Sequence, residues 1–169
     1  MRAITKNKEI NLSKITIRIS AVILWMAFIF HLSNQPASIS ASQSGSFRQM
    51  IIEMPILGAI TKPILTSSIG EFFIRKAAHM FLYFVLAILI YSLIYNVKYH
   101  RNSQKILKSM IISLIVVFLY ACTDEFHQLF IPGRSGEFRD VMVDTLGGII
   151  GLILIGISNL CLGKSKIKN

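Results

Sequence analysis

Residues 106–128 read ILKSMIISLIVVFLYACTDEFHQ. A long apolar run ends abruptly in Asp124, Glu125, His127 and Gln128. A membrane-crossing helix needs about 20 mostly apolar residues, and this stretch supplies them. Three other stretches, 15–32, 77–96 and 141–162, have the same character. Hydrophobic residues make up 53% of the 169-residue chain, and its mean hydropathy is +0.61. A soluble domain of this length rarely needs so much apolar surface. The expected fold is one all-α integral membrane domain over 1–169 with four transmembrane helices. None of the four stretches contains proline. Pro36, Pro55, Pro63 and Pro132 are expected in connections, where a missing backbone N–H does least harm.

The connection 33–74 is long for a compact domain. Phe47, Met50, Ile51, Met54, Ile56 and Leu57 give part of it an apolar, partly helical pattern. An interfacial helix that lies on the leaflet or caps the bundle is expected there.

The charges orient the bundle. Arg2, Lys6, Lys8, Lys14 and Arg18 precede or open the first stretch, Lys98, Arg101, Lys105 and Lys108 separate the second and third, and Lys164, Lys166 and Lys168 follow the fourth. Glu9 is the one acid on that side. The other seven acids lie at the opposite ends, with Arg48, Lys62, Arg75, Lys76, Arg134 and Arg139. Because loops rich in Lys and Arg stay in the cytoplasm, both termini are expected to be cytoplasmic and the loop 33–74 outside. The basic start, the apolar run 19–30 and small residues near 38–42 also outline a cleaved signal peptide. Its cleavage motif is poor, so a retained first span is preferred. The net charge of +10 does not imply nucleic acid, because the cations border apolar runs and are not interleaved with aromatics on a soluble face. Cys122 and Cys161 are expected near opposite membrane surfaces, about 30 Å apart, and so are expected to form no bridge.

Charge of both signs then converges at the outer helix ends. Arg75, His79 and Tyr83 share one helical face, as do Tyr120, Asp124 and Gln128, while Asp140 and Asp144 stand one turn apart. Lys76 and Glu125 lie beside these series. Ionised side chains inside a bilayer turn inward and pair, so Arg75, Lys76, Arg134 and Arg139 are expected to neutralise Asp124, Glu125, Asp140 and Asp144. Pro132-Gly133-Arg134 suits a tight turn that aims Arg134 over the cluster. An ion-paired plug joining three helices and an outward-facing pocket both fit this pattern. The number of titratable groups favours the pocket. His79, Asp124 and Glu125 are the candidate proton-transfer groups. Arg75, Lys76, Tyr83, Gln128, Arg134, Asp140 and Asp144 are the candidate binding residues. No two of His79, His127, Asp124 and Glu125 show a recognised metal spacing, so no metal or other cofactor is expected. His127 reads as an interfacial histidine. Gly147 and Gly151 form a close-packing signature, and Ser33, Ser44 and Ser46 lie in no nucleophile motif.

At these residues the chain resembles the VanZ-like family of small bacterial membrane proteins, named for a protein linked to teicoplanin resistance. The resemblance runs from about Leu24 to Ile155. It rests on Leu32-Ser33-Asn34-Gln35, on Arg75-Lys76 with His79 and Tyr83, and on the ordered run from Asp124 to Arg134. Its last mark is Asp140-Val141 with Asp144 and Gly147. Asp144 departs from the family pattern, where Asn is frequent, and adds a charge. The resemblance implies a multi-pass protein of the bacterial cytoplasmic membrane with a cell-envelope role and altered sensitivity to glycopeptide antibiotics. It supplies no reaction.

Three functions compete. A binder would hold a lipid-linked cell-wall precursor or a glycopeptide-related ligand at the outer face. A membrane hydrolase or transferase acting on a lipid-linked phosphate would use Glu125 or Asp124 with His79 as acid and base, and Arg75 and Arg134 on the phosphate. A transporter fits least, because four spans are few and no inverted repeat is visible. The orientation is tested by a reporter fused after Asn169. Activity of a cytoplasm-dependent reporter and silence of one that works only outside are expected, and the reverse would overturn the orientation.

Overall fold

The computed structural model describes residues 12–67, 69–98 and 103–165. Arg2, Lys6, Lys8, Glu9, Arg101, Lys166 and Lys168, which enter the charge argument, lie outside the described residues, as do the side chains of Glu71, Lys98, Cys161 and Lys164. Six helices follow in order: α1 (Leu12–Ser33), α2 (Ala37–Glu53), α3 (Pro55–Leu65), α4 (Gly70–Lys98), α5 (Ser103–Gln128) and α6 (Phe138–Ser165). The described chain is all-helical. Four segments are long and apolar enough to cross a membrane, namely Leu12–Ser33, Phe72–Tyr95, Gln104–Gln128 and Phe138–Asn159.

The second crossing helix begins earlier than the apolar run 77–96 suggests. Arg75 and Lys76 interrupt the hydropathy without interrupting the helix, because a helix needs only its backbone hydrogen bonds, and Phe72, Phe73 and Ile74 extend the apolar surface beyond them. The connection 33–74 holds two helices where one was expected. Met54 is extended, with ψ 129°, as a residue before proline must be. That single residue separates α2 from α3. Pro55 occupies the first turn of α3, where its absent N–H goes unmissed, and Pro63 lies inside α3. All four prolines lie in connections between the crossing segments, as expected, although Pro55 and Pro63 are helical within theirs.

Helix α4 is the hub. It packs against α1, α2, α3, α5 and α6, most extensively against α6. Its buried face repeats at helical spacing through Leu82, Tyr83, Leu86, Ala87, Ile90 and Tyr91, meeting Val117 and Ala121 of α5 and Val141 and Leu152 of α6. Lipid is as apolar as these side chains, so close packing and interhelical hydrogen bonds bring the helices together. The glycines of α6 permit the closest approach. A Cβ at Gly147 would fall 2.1 Å from the Met80 carbonyl oxygen, and one at Gly151 would fall 2.8 Å from that of Phe84.

Helix α1 buries only Val22, Ile29 and Ser33. Polar straps compensate. Trp25 Nε1 donates to the Leu82 carbonyl of α4 at 2.9 Å, and Tyr120 Oη of α5 donates to the Met26 carbonyl at 2.7 Å. Each such bond contributes about 1 kcal/mol in a membrane bundle. Cys122 is a free thiol.

Gly147→Ala is expected to lower stability by about 2 kcal/mol, the scale of an overpacked core. Gly45→Ala is expected to cause no loss, because nothing lies within 4 Å of a Cβ there. Thermal unfolding of the two variants in one detergent checks the contrast. Equal midpoints would place the α4–α6 contact elsewhere.

Candidate functional site

The end of α5 is where the polar groups gather. Asp124, Glu125 and Gln128 are 3%, 5% and 4% exposed, so they face the bundle interior and not lipid. After Gln128 the chain turns back through successive short hydrogen bonds, from Leu129 N–H to the Phe126 carbonyl and from Phe130 N–H to that of His127. Gly133 adopts φ +74°, a conformation that glycine accepts without strain, and Arg134 N–H bonds the Ile131 carbonyl. The turn folds Arg134 over the helix that precedes it.

Each guanidinium nitrogen of Arg134 then has a partner. Nε donates to the Gln35 carbonyl at 2.8 Å, Nη2 to the Leu32 carbonyl at 3.1 Å and Nη1 to Gln128 Oε1 at 3.0 Å. Two of the three are carbonyls at the end of α1, so the cation also caps a helix C-terminus. Burial draws the guanidinium below its ordinary pKa, against the attraction of Asp124 and Glu125. It stays charged, because arginine starts so high.

Gln128 relays this contact. Its oxygen is held by Arg134, which aims its nitrogen at Glu125 Oε1 (3.0 Å) and Asp124 Oδ2 (3.4 Å). The Glu137 N–H donates to Glu125 Oε2 at 3.1 Å. Asp124 Oδ2 also accepts from Ser33 Oγ at 2.7 Å and Tyr83 Oη at 3.3 Å, which ties α1, α4 and α5 to one oxygen. The other oxygen, Oδ1, is buried without a hydrogen-bond partner among the described residues. On α6, Asp140 forms an ion pair with Lys76. Asp144, 1% exposed, has Oδ1 3.9 Å from His79 Nδ1 and Oδ2 unpartnered.

The expected charge pairing holds for Lys76 and Asp140 and fails elsewhere. Arg139 pairs with Glu137 at 2.9 Å, because both sit at the exposed start of α6 where the geometry is local. Arg134 reaches the carboxylates through Gln128. Among the described residues, neither Asp124 nor Asp144 has a Lys or Arg nitrogen within ion-pair distance, and Arg75 forms no ion pair.

Arg75, Lys76, His79, Glu125, Gln128, Arg134, Asp140 and Asp144 line one polar cleft of about 130 Å³. Tyr83 and Asp124 lie outside its lining. Tyr120 shares the Asp124 face as expected, lying 6.1 Å from the Tyr83 ring, and its hydroxyl bonds α1. His127 is half-buried and outside the cleft lining, 3.1 Å from Asn34 Oδ1 and in tilted ring contact with Phe30. Ala37 and Ser40 of α2 also line the cleft. Drug-sized ligands occupy roughly 300–1,000 Å³, so this cleft suits a small polar group. A second, apolar groove of about 660 Å³ between α4 and α6 shares Phe72, Lys76 and Arg139 with the cleft.

Sequence reasoning missed Ser33 as a partner of Asp124, 91 residues away, and missed the backbone N–H of Glu137. No local pattern announces either. Nor does spacing announce that His79, Asp124 and Asp144 each offer a ligand atom within 4.8 Å of the others. These three residues could hold a metal ion.

Residues 19–159 match the family model described as VanZ/LLP1, a span covering most of the chain. The protein therefore belongs to the VanZ/LLP1 family of membrane proteins. No curated protein and no solved structure matches it.

Arg134→Lys keeps the charge but loses the planar fork that bonds three acceptors, and a loss of about 2 kcal/mol is expected. Ser33→Ala is expected to cost about 1 kcal/mol. Arg48→Lys, at a half-buried position of α2 where the arginine forms no ion pair among the described residues, serves as the control. Thermal unfolding that ranks all three alike would separate the Arg134 bridge from stability.

Proposed function

We propose that this VanZ/LLP1 membrane protein binds the anionic headgroup of a lipid-linked ligand in the polar cleft, with the ligand's hydrocarbon chain in the adjoining groove. One observation carries the reading. Arg75 lines the cleft yet has no ion pair and no hydrogen-bond partner among the described residues, while Lys76 and Arg139 stand where cleft and groove meet. Arginine offers two parallel N–H donors to a phosphate. A cleft too small for a whole ligand, beside a larger apolar groove, suits an amphiphile that divides its parts between them. The excess of Lys and Arg toward the opposite end supports an outward-facing position for this end of the bundle, the side on which lipid-linked cell-wall precursors are handled. Modulated sensitivity to glycopeptides such as teicoplanin follows as the expected phenotype.

A second reading draws on Glu125 and His79, which both line the cleft. They supply a carboxyl group and an imidazole for acid–base chemistry on a bound phosphate ester. Asp124, outside the lining with Oδ2 held by three donors, serves that reading less well. Glu125→Gln separates the two, since an enzyme would lose its turnover while a binder would keep its ligand.

The purified protein in nanodiscs is expected to bind a polyprenyl monophosphate and to discriminate against the uncharged polyprenol. Arg75→Ala is expected to weaken binding about tenfold or more, from the loss of a charge-assisted contact of about 1.5–3 kcal/mol. In a sensitive host, expression is expected to raise teicoplanin tolerance, and Arg75→Ala to abolish it. Equal binding of phosphate and alcohol would overturn the headgroup reading.

A further inference from the structure

We propose that His79, Asp124 and Asp144 form a binding site for one divalent transition-metal ion of the Zn2+ or Mn2+ class, held between α4, α5 and α6. The three side chains come from three helices, and their ligand atoms lie within 4.8 Å of one another. Tetrahedral bonds of 2.0–2.2 Å put ligand atoms about 3.4 Å apart. The three groups therefore need to close by little more than about 1 Å, a side-chain adjustment that leaves the helices in place.

Two independent features point to a cation. The first is the pair of carboxylate oxygens without hydrogen-bond partners, Asp124 Oδ1 and Asp144 Oδ2, on side chains 3% and 1% exposed. Buried polar atoms are almost always satisfied, and two orphans in one cluster mark an unmet demand. The second is charge. Among the described residues no Lys or Arg nitrogen lies within 4.0 Å of either carboxylate, although ionised groups at membrane depth are costly unless paired. A divalent ion would satisfy both demands at once.

The surroundings suit ligation. Ser33 and Tyr83 hold Asp124 by Oδ2 alone, which fixes the carboxylate and leaves Oδ1 free, as outer-shell groups do around a metal ligand. His79 and Asp144 line the cleft, so an ion bound to three protein ligands would keep a coordination position open toward it. That arrangement belongs to reactive or ligand-binding sites and not to closed structural ones. One imidazole with two carboxylates favours Zn2+ or Mn2+ over Mg2+ and Ca2+, which prefer oxygen throughout.

The test uses the full chain in phosphatidylcholine nanodiscs, stripped with a chelator and equilibrated with Zn2+ or Mn2+. Bound metal per chain is then measured by mass spectrometry after removal of free ion. One ion per chain is expected, with affinity at least about tenfold weaker in Asp144→Asn and in His79→Gln and unchanged in Lys62→Gln, at an exposed position of α3. Helicity and monodispersity qualify each variant, and His79→Gln decides if Asp144→Asn does not fold. No stoichiometric binding of either ion overturns the proposal, as does binding that both folded variants retain; in those cases protons neutralise the carboxylates. The readout contains no polyprenyl phosphate, so its failure leaves the headgroup reading standing, and failure of polyprenyl phosphate binding leaves the metal site standing.

Discussion

The contact from Arg134 to Gln128 and to the end of α1 is the interaction on which the charged end of the bundle depends. One guanidinium closes the turn after α5, caps the carbonyls of Leu32 and Gln35, and fixes the Gln128 amide. The amide in turn has a single useful orientation, with its oxygen toward the cation and its nitrogen toward Glu125 and Asp124. Positive charge is thereby shared with two buried carboxylates that Arg134 does not touch. Without the bridge, α1 would keep its Ser33 contact to Asp124 at this end, but both carboxylates would lose the donor they share at membrane depth.

The second constraint is steric. Helix α6 approaches α4 so closely at Gly147 and Gly151 that any Cβ would meet backbone carbonyls. Gly147 lies three residues after Asp144, so the contact that brings the backbones together also delivers that carboxylate beside His79. Packing and chemistry are coupled here because a membrane bundle lacks a hydrophobic driving force between helices and relies on small residues and polar contacts at the same interfaces. The apolar groove between the same two helices continues from the cleft, so one helix pair presents both a polar and an apolar surface.

Much of the cleft was legible in the chain before any fold was known. Arg75 with His79, Asp124 with Gln128, and Asp140 with Asp144 are separated by one helical turn, so their shared faces follow from helix geometry alone. The tight turn at Gly133 was legible from its residues. What escaped was partnership. Arg139 takes a neighbour two residues away, the Tyr120 hydroxyl bonds α1, and Ser33 crosses to α5. A polar side chain in a bundle has several chemically acceptable partners, and distance in three dimensions chooses among them. The boundary between α2 and α3 was missed for a different reason, since a proline that opens a helix and a proline in a loop look alike until the preceding residue is seen extended.

The number of crossing helices, their apolar faces and the end at which charge collects were determined by the sequence itself. Hydropathy over a span and one-turn spacing are local properties, and lipid leaves a chain of this composition few alternatives. The meeting of His79, Asp124 and Asp144, the strap from Ser33, the relay through Gln128 and the joining of cleft to groove were decided by the tertiary structure alone. Each depends on which helix lies beside which and at what rotation, and those are set by glycine contacts and hydrogen bonds between residues far apart in the chain.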